Sequence, residues 1–110
     1  MTKAAIVSEA TILRQVIEVL TMKRVLSFRH TPVKLASRQG RTIFLPCRDG
    51  EKGVADIIGI HRGVPIAIEA KSSVGKQSPD QAAFQLRWEQ EGGRYVIVRS
   101  VEDLLAFLLV

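Results

Sequence analysis

The chain has 110 residues, 46% of them hydrophobic and 25% charged, proportions that suit one compact domain and exclude a disordered tail. Sixteen Lys and Arg against eleven Asp and Glu give a formal net charge of +5, and a pI near 9.9 in so small a chain favours an anionic partner, nucleic acid first. One cysteine, Cys47, excludes an intramolecular disulfide and a thiolate zinc site and suits a reducing, cytoplasmic compartment, while no apolar run nears the roughly 18 to 20 residues of a membrane span and Met1–Ala10 lacks a signal-peptide core.

In chain order, Ala10, Leu13, Val16, Ile17 and Leu20 recur at three- and four-residue steps and predict an amphipathic helix, with Ser8 or Thr11 as its cap. After Glu18 no acid occurs before Asp49, yet Lys23, Arg24, Arg29, Lys34, Arg38, Arg41 and Arg48 lie between them. Such a run is either a solvated face or a phosphate-binding surface, and the lack of any opposing acid favours the second. Within it, Val25–Phe28 and Thr42–Leu45 have strand composition, punctuated by Pro32, Gly40 and Pro46. Gly50–Gly53 reads as a polar turn. Ala55–Ile60 and Val64–Lys71, separated by His61, Arg62 and Gly63, predict a β-hairpin. Ser78 as N-cap, Pro79 at the first helical position and Gln81 three residues after the cap start a helix that runs to Gln90. Gly92-Gly93 stops it, Arg94–Arg99 is a strand, and Ser100 with Asp103 reads as a second capping box before an apolar C-terminal helix.

If the hairpin closes through the two-residue loop Arg62-Gly63, His61 faces Val64 and Asp56 faces Glu69. Directly opposed residues project from one face with β-carbons about 4.5 to 5.5 Å apart, where like charges repel. Lys71, two residues beyond Glu69, emerges on the same face. Two readings follow: a salt-bridge cluster on an exposed sheet face, or a site for a hard divalent cation, which takes one or two carboxylates plus waters and phosphate oxygens. In the second reading the cation polarises a phosphodiester, and Lys71 steadies the attacking hydroxide or the developing phosphorane charge. The geometry depends on the register, and Arg-Gly is a weaker turn signal than Asn-Gly.

With these residues in place, the chain resembles the VRR-NUC family, the virus-type replication and repair nucleases, within the PD-(D/E)XK superfamily. The resemblance runs from about Ser8 to Leu108 and rests on Ser8-Glu9, Lys52–Gly59, Ile68–Lys71, Gly75–Gln81 and Val98–Asp103, taken in order. It implies a single α/β domain over residues 1–110, a restriction-endonuclease-like αβββαβ core with a mixed central sheet flanked by helices. It also implies Mg²⁺- or Mn²⁺-dependent DNA cleavage, and stand-alone members of the family act as dimers on branched DNA of the Holliday-junction type. Residue by residue, Asp56 and Glu69 match the metal carboxylates, the Ala70 carbonyl a backbone metal ligand, and Lys71 the catalytic lysine. Glu9 matches an acid on the first helix that approaches the metal, and Gln81 a glutamine on the helix after the catalytic strands. Ala55 stands where the superfamily motif has proline.

Without the resemblance, Glu9 is a first-turn acid favoured by the helix dipole, and Gln81 is claimed by the capping box, so two duties compete for one side chain. Lys23, Arg24, Arg29, Lys34, Arg38, Arg41 and Lys76 are expected to meet DNA phosphates. His30 and His61, each without a second His or Cys at metal spacing, are expected to be non-catalytic, Cys47 to be a packing residue, and Phe84 and Trp88 to be core contacts four residues apart. Gly75-Lys76 fails as a phosphate loop, since Ala70 stands five before Gly75 and Gln77 replaces the Ser or Thr, so no nucleotide cofactor is expected. The run Leu104–Val110 is expected to pack in the core, with a dimer contact as the alternative. The rival functions are a basic DNA-binding module of the same fold without turnover, and a structural subunit.

Overall fold

The structure, a computed structural model, describes residues 5–30, 34–36, 39–40, 42–44 and 52–110. Its elements are α1 (Glu9–Met22), β1 (Leu26–Arg29), β2 (Lys34–Ala36), β3 (Thr42–Phe44), β4 (Ile57–His61), β5 (Val64–Ala70), α2 (Pro79–Gln90), β6 (Arg94–Val98) and α3 (Val101–Leu109). A four-stranded mixed sheet has the order β1-β4-β5-β6, and β2 pairs with β3 in a separate antiparallel ribbon. The β1–β4 and β4–β5 pairs are antiparallel and β5–β6 is parallel, so α2 serves as the crossover. The fold is therefore α/β, a mixed sheet flanked by three helices.

The helical periodicity of α1 has a direct counterpart in packing: Ile12, Val16 and Leu20 are buried, and Ser8 caps the helix by accepting the Thr11 N–H at 3.2 Å. Thr11 is thus inside the helix, not its cap. Ile57 of β4, Ile66, Ile68 and Ala70 of β5 and Val98 of β6 alternate onto one face of the sheet and meet α1 and the buried Leu104, Phe107 and Leu108 of α3. Each large aliphatic side chain so buried contributes about 1.5 to 3 kcal/mol. The expectation that the C-terminal run packs in the core holds for that face of α3, whereas Leu105, Leu109 and Val110 are exposed.

On the other face α2 leans on β6 with no fully buried residue. Phe84 stacks on Trp88 at 5.5 Å and tilts against Tyr95 at 6.3 Å between ring centroids. The indole N–H of Trp88 donates to the Arg94 carbonyl at 2.9 Å. Gly93 makes room for that ring, because a Cβ there would overlap the indole edge at Trp88 Nε1.

The hairpin closes as the two-residue loop requires. Arg62 and Gly63 both have positive φ, 52° and 80°, which is the type I′ geometry whose twist matches the strands. His61 faces Val64 and Ile57 faces Ile68.

Several expectations need correction: the strand expected over Ala55–Ile60 is Ile57–His61, and that over Arg94–Arg99 ends at Val98. The strand expected over Val25–Phe28 runs from Leu26 to Arg29, and Lys71 lies just outside β5, although its N–H still donates to the Val98 carbonyl at 3.0 Å. The sequence does not predict β2, because Lys-Leu-Ala is short and has no β-branched residue. The second capping box is one-sided: Ser100 Oγ accepts the Asp103 N–H at 3.3 Å, but the Asp103 carboxylate accepts from Arg99 N at 2.8 Å instead of from Ser100. Leu45, ending the strand expected from Thr42, lies outside the described residues, as do Pro32, Arg38, Arg41, Pro46, Cys47, Arg48 and Gly50. Among the described residues no helix is long and apolar enough to cross a membrane.

Candidate metal centre

The β4–β5 register carries Asp56 and Glu69 to the end of the ladder where the chain enters β4 and leaves β5. Asp56 is fixed from both sides. Its Oδ2 accepts the Ala70 N–H at 2.9 Å, and its carbonyl accepts the His30 N–H at 2.8 Å, which extends the β1–β4 pairing by one residue. Glu69 is only 2% exposed and Lys71 8%, so the reading of a salt-bridge cluster on an exposed sheet face is overturned. Glu9, at the start of α1, closes the group: one carboxylate oxygen from each of Glu9, Asp56 and Glu69 lies within 4.8 Å of the others.

Gln81 performs both duties that compete for it in the sequence. Its Oε1 accepts the Ser78 N–H at 2.8 Å as the capping box requires, and its Nε2 donates to Glu69 Oε1 at 3.2 Å. Gly53 makes this reach possible. At φ 75° it lies against the first turn of α2, and a Cβ there would overlap the Asp80 carbonyl and fall 2.5 Å from Gln81 N. Only glycine allows so close a backbone approach at that φ.

With Oε1 of Glu69 held by Gln81, Oε2 is buried and has no hydrogen-bond partner among the described residues. A buried acceptor left so costs about 1 to 3 kcal/mol. Burial, first, and then the neighbouring Asp56 carboxylate, which repels the charged form of Glu69 and favours its protonated form, push the Glu69 carboxyl up to about 8 from the ordinary 4.5, against the opposing pull of the Lys71 ammonium. Glu9 adds a smaller push in the same direction. Carboxylates gathered at one point repel one another, which a proton or a cation relieves, and an all-oxygen donor set suits a hard divalent ion such as Mg²⁺ or Mn²⁺. The residues present fit one.

The expected phosphate-binding residues divide by position. Arg29, at the end of β1, is followed by His30, which bonds Asp56, and it lines a groove of about 380 Å³ with Arg14 and Glu18 of α1. Lys76 is exposed in the loop between Lys71 and the Ser78 cap. Lys23 and Arg24 sit at the opposite end of the sheet, where Lys23 shares a groove with His61 and Arg62 of the hairpin turn. Lys34 lies in β2.

Sequence reasoning gives no role to Arg14, to Gly53 as a backbone contact, or to Arg99, whose guanidinium donates to the carbonyls of Ser72 and Gly75. The one signal in the sequence for Gly53 is its place three residues before Asp56, in the Lys52–Gly59 segment that carries the resemblance. His30 is brought opposite Asp56 by the β1–β4 ladder, yet the acid cluster consists of Glu9, Asp56 and Glu69 without it. No family model, curated protein or solved structure matches the chain.

Proposed function

We propose that the chain is a metal-dependent DNA endonuclease of the VRR-NUC type that hydrolyses phosphodiester bonds in branched, Holliday-junction-like DNA. It works as a homodimer in the cytoplasm of a bacterial or phage-infected cell. The observation that carries the reading is the buried Glu69 Oε2, without a partner among the described residues, in a cluster of three carboxylates beside a buried lysine. The succession α1, β1, β4, β5, α2, β6 supports it, being the αβββαβ order of a restriction-endonuclease-like core, with β2–β3 and α3 as additions.

Glu9, Asp56, Glu69 and the Ala70 carbonyl would hold the Mg²⁺ or Mn²⁺ ion, which when bound polarises the phosphodiester and lowers the pKa of water. The Ala70 N–H holds Asp56 in orientation, and Gln81 holds one oxygen of Glu69 so that the other is presented. Lys71 brings a positive charge to the same place, where it offsets the charge that develops on the phosphorane. Arg29 and Lys76 meet the flanking phosphates, while Lys23 and Arg24, at the opposite end of the sheet, add to the positive charge that attracts the polyanion.

The second reading, a basic DNA-binding module of the same fold without turnover, gives no reason to bury Glu69 with an oxygen unpaired. Cleavage of labelled four-way-junction, linear duplex and single-stranded DNA, in Mg²⁺, Mn²⁺ or EDTA, separates the two. The nuclease reading expects metal-dependent cutting, strongest on the junction and lost in Asp56→Asn. Salt-sensitive binding without cutting would favour the binding module.

A further inference from the structure

We infer that Arg99 is the positioning residue for Lys71: its guanidinium fastens the Ser72–Gly75 turn against which the lysine stem lies. The catalytic consequence rests on the nuclease reading; the geometry does not. β6 ends at Val98, whose carbonyl accepts the Lys71 N–H at 3.0 Å, so Arg99 follows directly on the residue that pins the lysine backbone. Nη1 of Arg99 donates to the Ser72 carbonyl at 2.5 Å and to the Gly75 carbonyl at 2.7 Å. Those are the two ends of one turn, closed by the Gly75 N–H on the Ser72 carbonyl at 3.1 Å. The arginine is itself anchored, its own N–H donating to Asp103 Oδ2 at 2.8 Å in the first turn of α3.

The turn in its place touches the lysine. A Cβ at Gly75 would lie 3.4 Å from Lys71 Cδ, so the stem is in van der Waals reach of the glycine. Lysine carries its charge on a flexible four-carbon stem, and its ammonium is held in one place only if the stem has a wall. The Ser72–Gly75 turn, with two serines and a glycine, has little side-chain packing of its own and would open readily without the guanidinium. Arginine suits the task because its planar, always charged guanidinium carries two N–H bonds on Nη1, one for each carbonyl.

The test has two arms. In the first, rate constants at saturating junction DNA are measured for wild type, Arg99→Ala, Lys71→Ala and the double variant, with DNA affinity measured in parallel in Ca²⁺. Arg99→Ala lowers the rate about 10- to 100-fold, leaves DNA affinity and its salt dependence within about twofold, and adds nothing in the Lys71→Ala background. Equal losses in both backgrounds overturn the inference, and so does a fall in affinity with the rate unchanged, which would make Arg99 a phosphate contact.

The second arm needs no catalysis. In ¹⁵N-lysine NMR, Arg99→Ala shifts and broadens the Lys71 Nζ signal, and exchange of the Gly75 amide rises about tenfold while amides of α1 keep their protection. Arg99→Lys, which keeps the charge, shows the same changes to a smaller extent and stands in if Arg99→Ala does not fold. An unchanged Lys71 signal overturns the inference whether or not the protein cuts DNA. The NMR changes in Arg99→Ala, together with a wild type that does not cut, would overturn the nuclease reading alone.

Discussion

Replacing Glu69 by glutamine removes a group whose proton affinity the fold raises well above its ordinary value, and the effect on stability has a defined sign. The folded-state value of about 8 lies above the ordinary 4.5, so without a cation the stabilising contribution is fully present below pH 4.5 and is lost as pH rises through 8. At about 1.4 kcal/mol per tenfold change in proton affinity, the loss is on the order of 5 kcal/mol at most, and smaller to the extent that solvent screens the site. The glutamine of the Glu69→Gln variant keeps the shape and carries no charge, so the stability of that variant stays nearly flat over the same window. Urea titrations of both proteins at several pH values, in EDTA and in Mg²⁺, read this directly. The wild type weakens towards alkaline pH in EDTA and recovers in Mg²⁺, by about 2.7 kcal/mol at 100 times the dissociation constant, whereas the variant does neither. Equal pH dependence in the two proteins would refute the reasoning.

Asp56→Asn abolishes metal-dependent cleavage while leaving DNA affinity within a few-fold, because it removes a metal carboxylate and no phosphate contact; wild-type rates in a cleavage assay would exclude it from the site. Lys71→Ala lowers turnover about 100- to 1,000-fold with Mn²⁺ affinity little changed, and an equal loss of Mn²⁺ affinity in calorimetry would make the lysine a partner of the acids instead. Gly53→Ala sets a Cβ against the Asp80 backbone and destabilises the fold by roughly 1 to 3 kcal/mol, read as a lower urea midpoint together with weaker cleavage; an unchanged midpoint would show that the loop yields. Arg29→Ala reduces the slope of DNA affinity against salt by about 0.9, and an unchanged slope in a fluorescence titration would remove Arg29 from the DNA contact.

The hairpin is legible because two β-branched runs flank the short segment His61–Gly63, but its register rests on taking Arg62-Gly63 as the loop; the positive φ of both residues and the pairing of His61 with Val64 bear that out, and Asp56 opposite Glu69 follows. The start of α2 was legible from Ser78, Pro79 and Gln81, since capping is a local interaction. What lay beyond the sequence depends on how elements pack. Glu9 reaches the acids only because Ile12, Val16 and Leu20 seat α1 on the sheet, and helical periodicity says which face is buried but not where the helix end arrives. Gln81 could be assigned to the cap from spacing, whereas its second bond, to Glu69, depends on the close approach that Gly53 allows. β2 is hidden by its length and composition, and local spacing does not distinguish the Ser100 amide from the neighbouring Arg99 amide, to which the Asp103 carboxylate turns.

The most direct test of the central claim is calorimetric titration of Mn²⁺ into the wild type and into Glu69→Gln in two buffers of different ionisation enthalpy. The wild type is expected to bind saturably and to release a proton near neutral pH, since the cation displaces the one that Glu69 holds, and the variant to lose both signals. No saturable binding, or the same binding in both proteins, would contradict the assignment of Glu9, Asp56 and Glu69 as a metal centre.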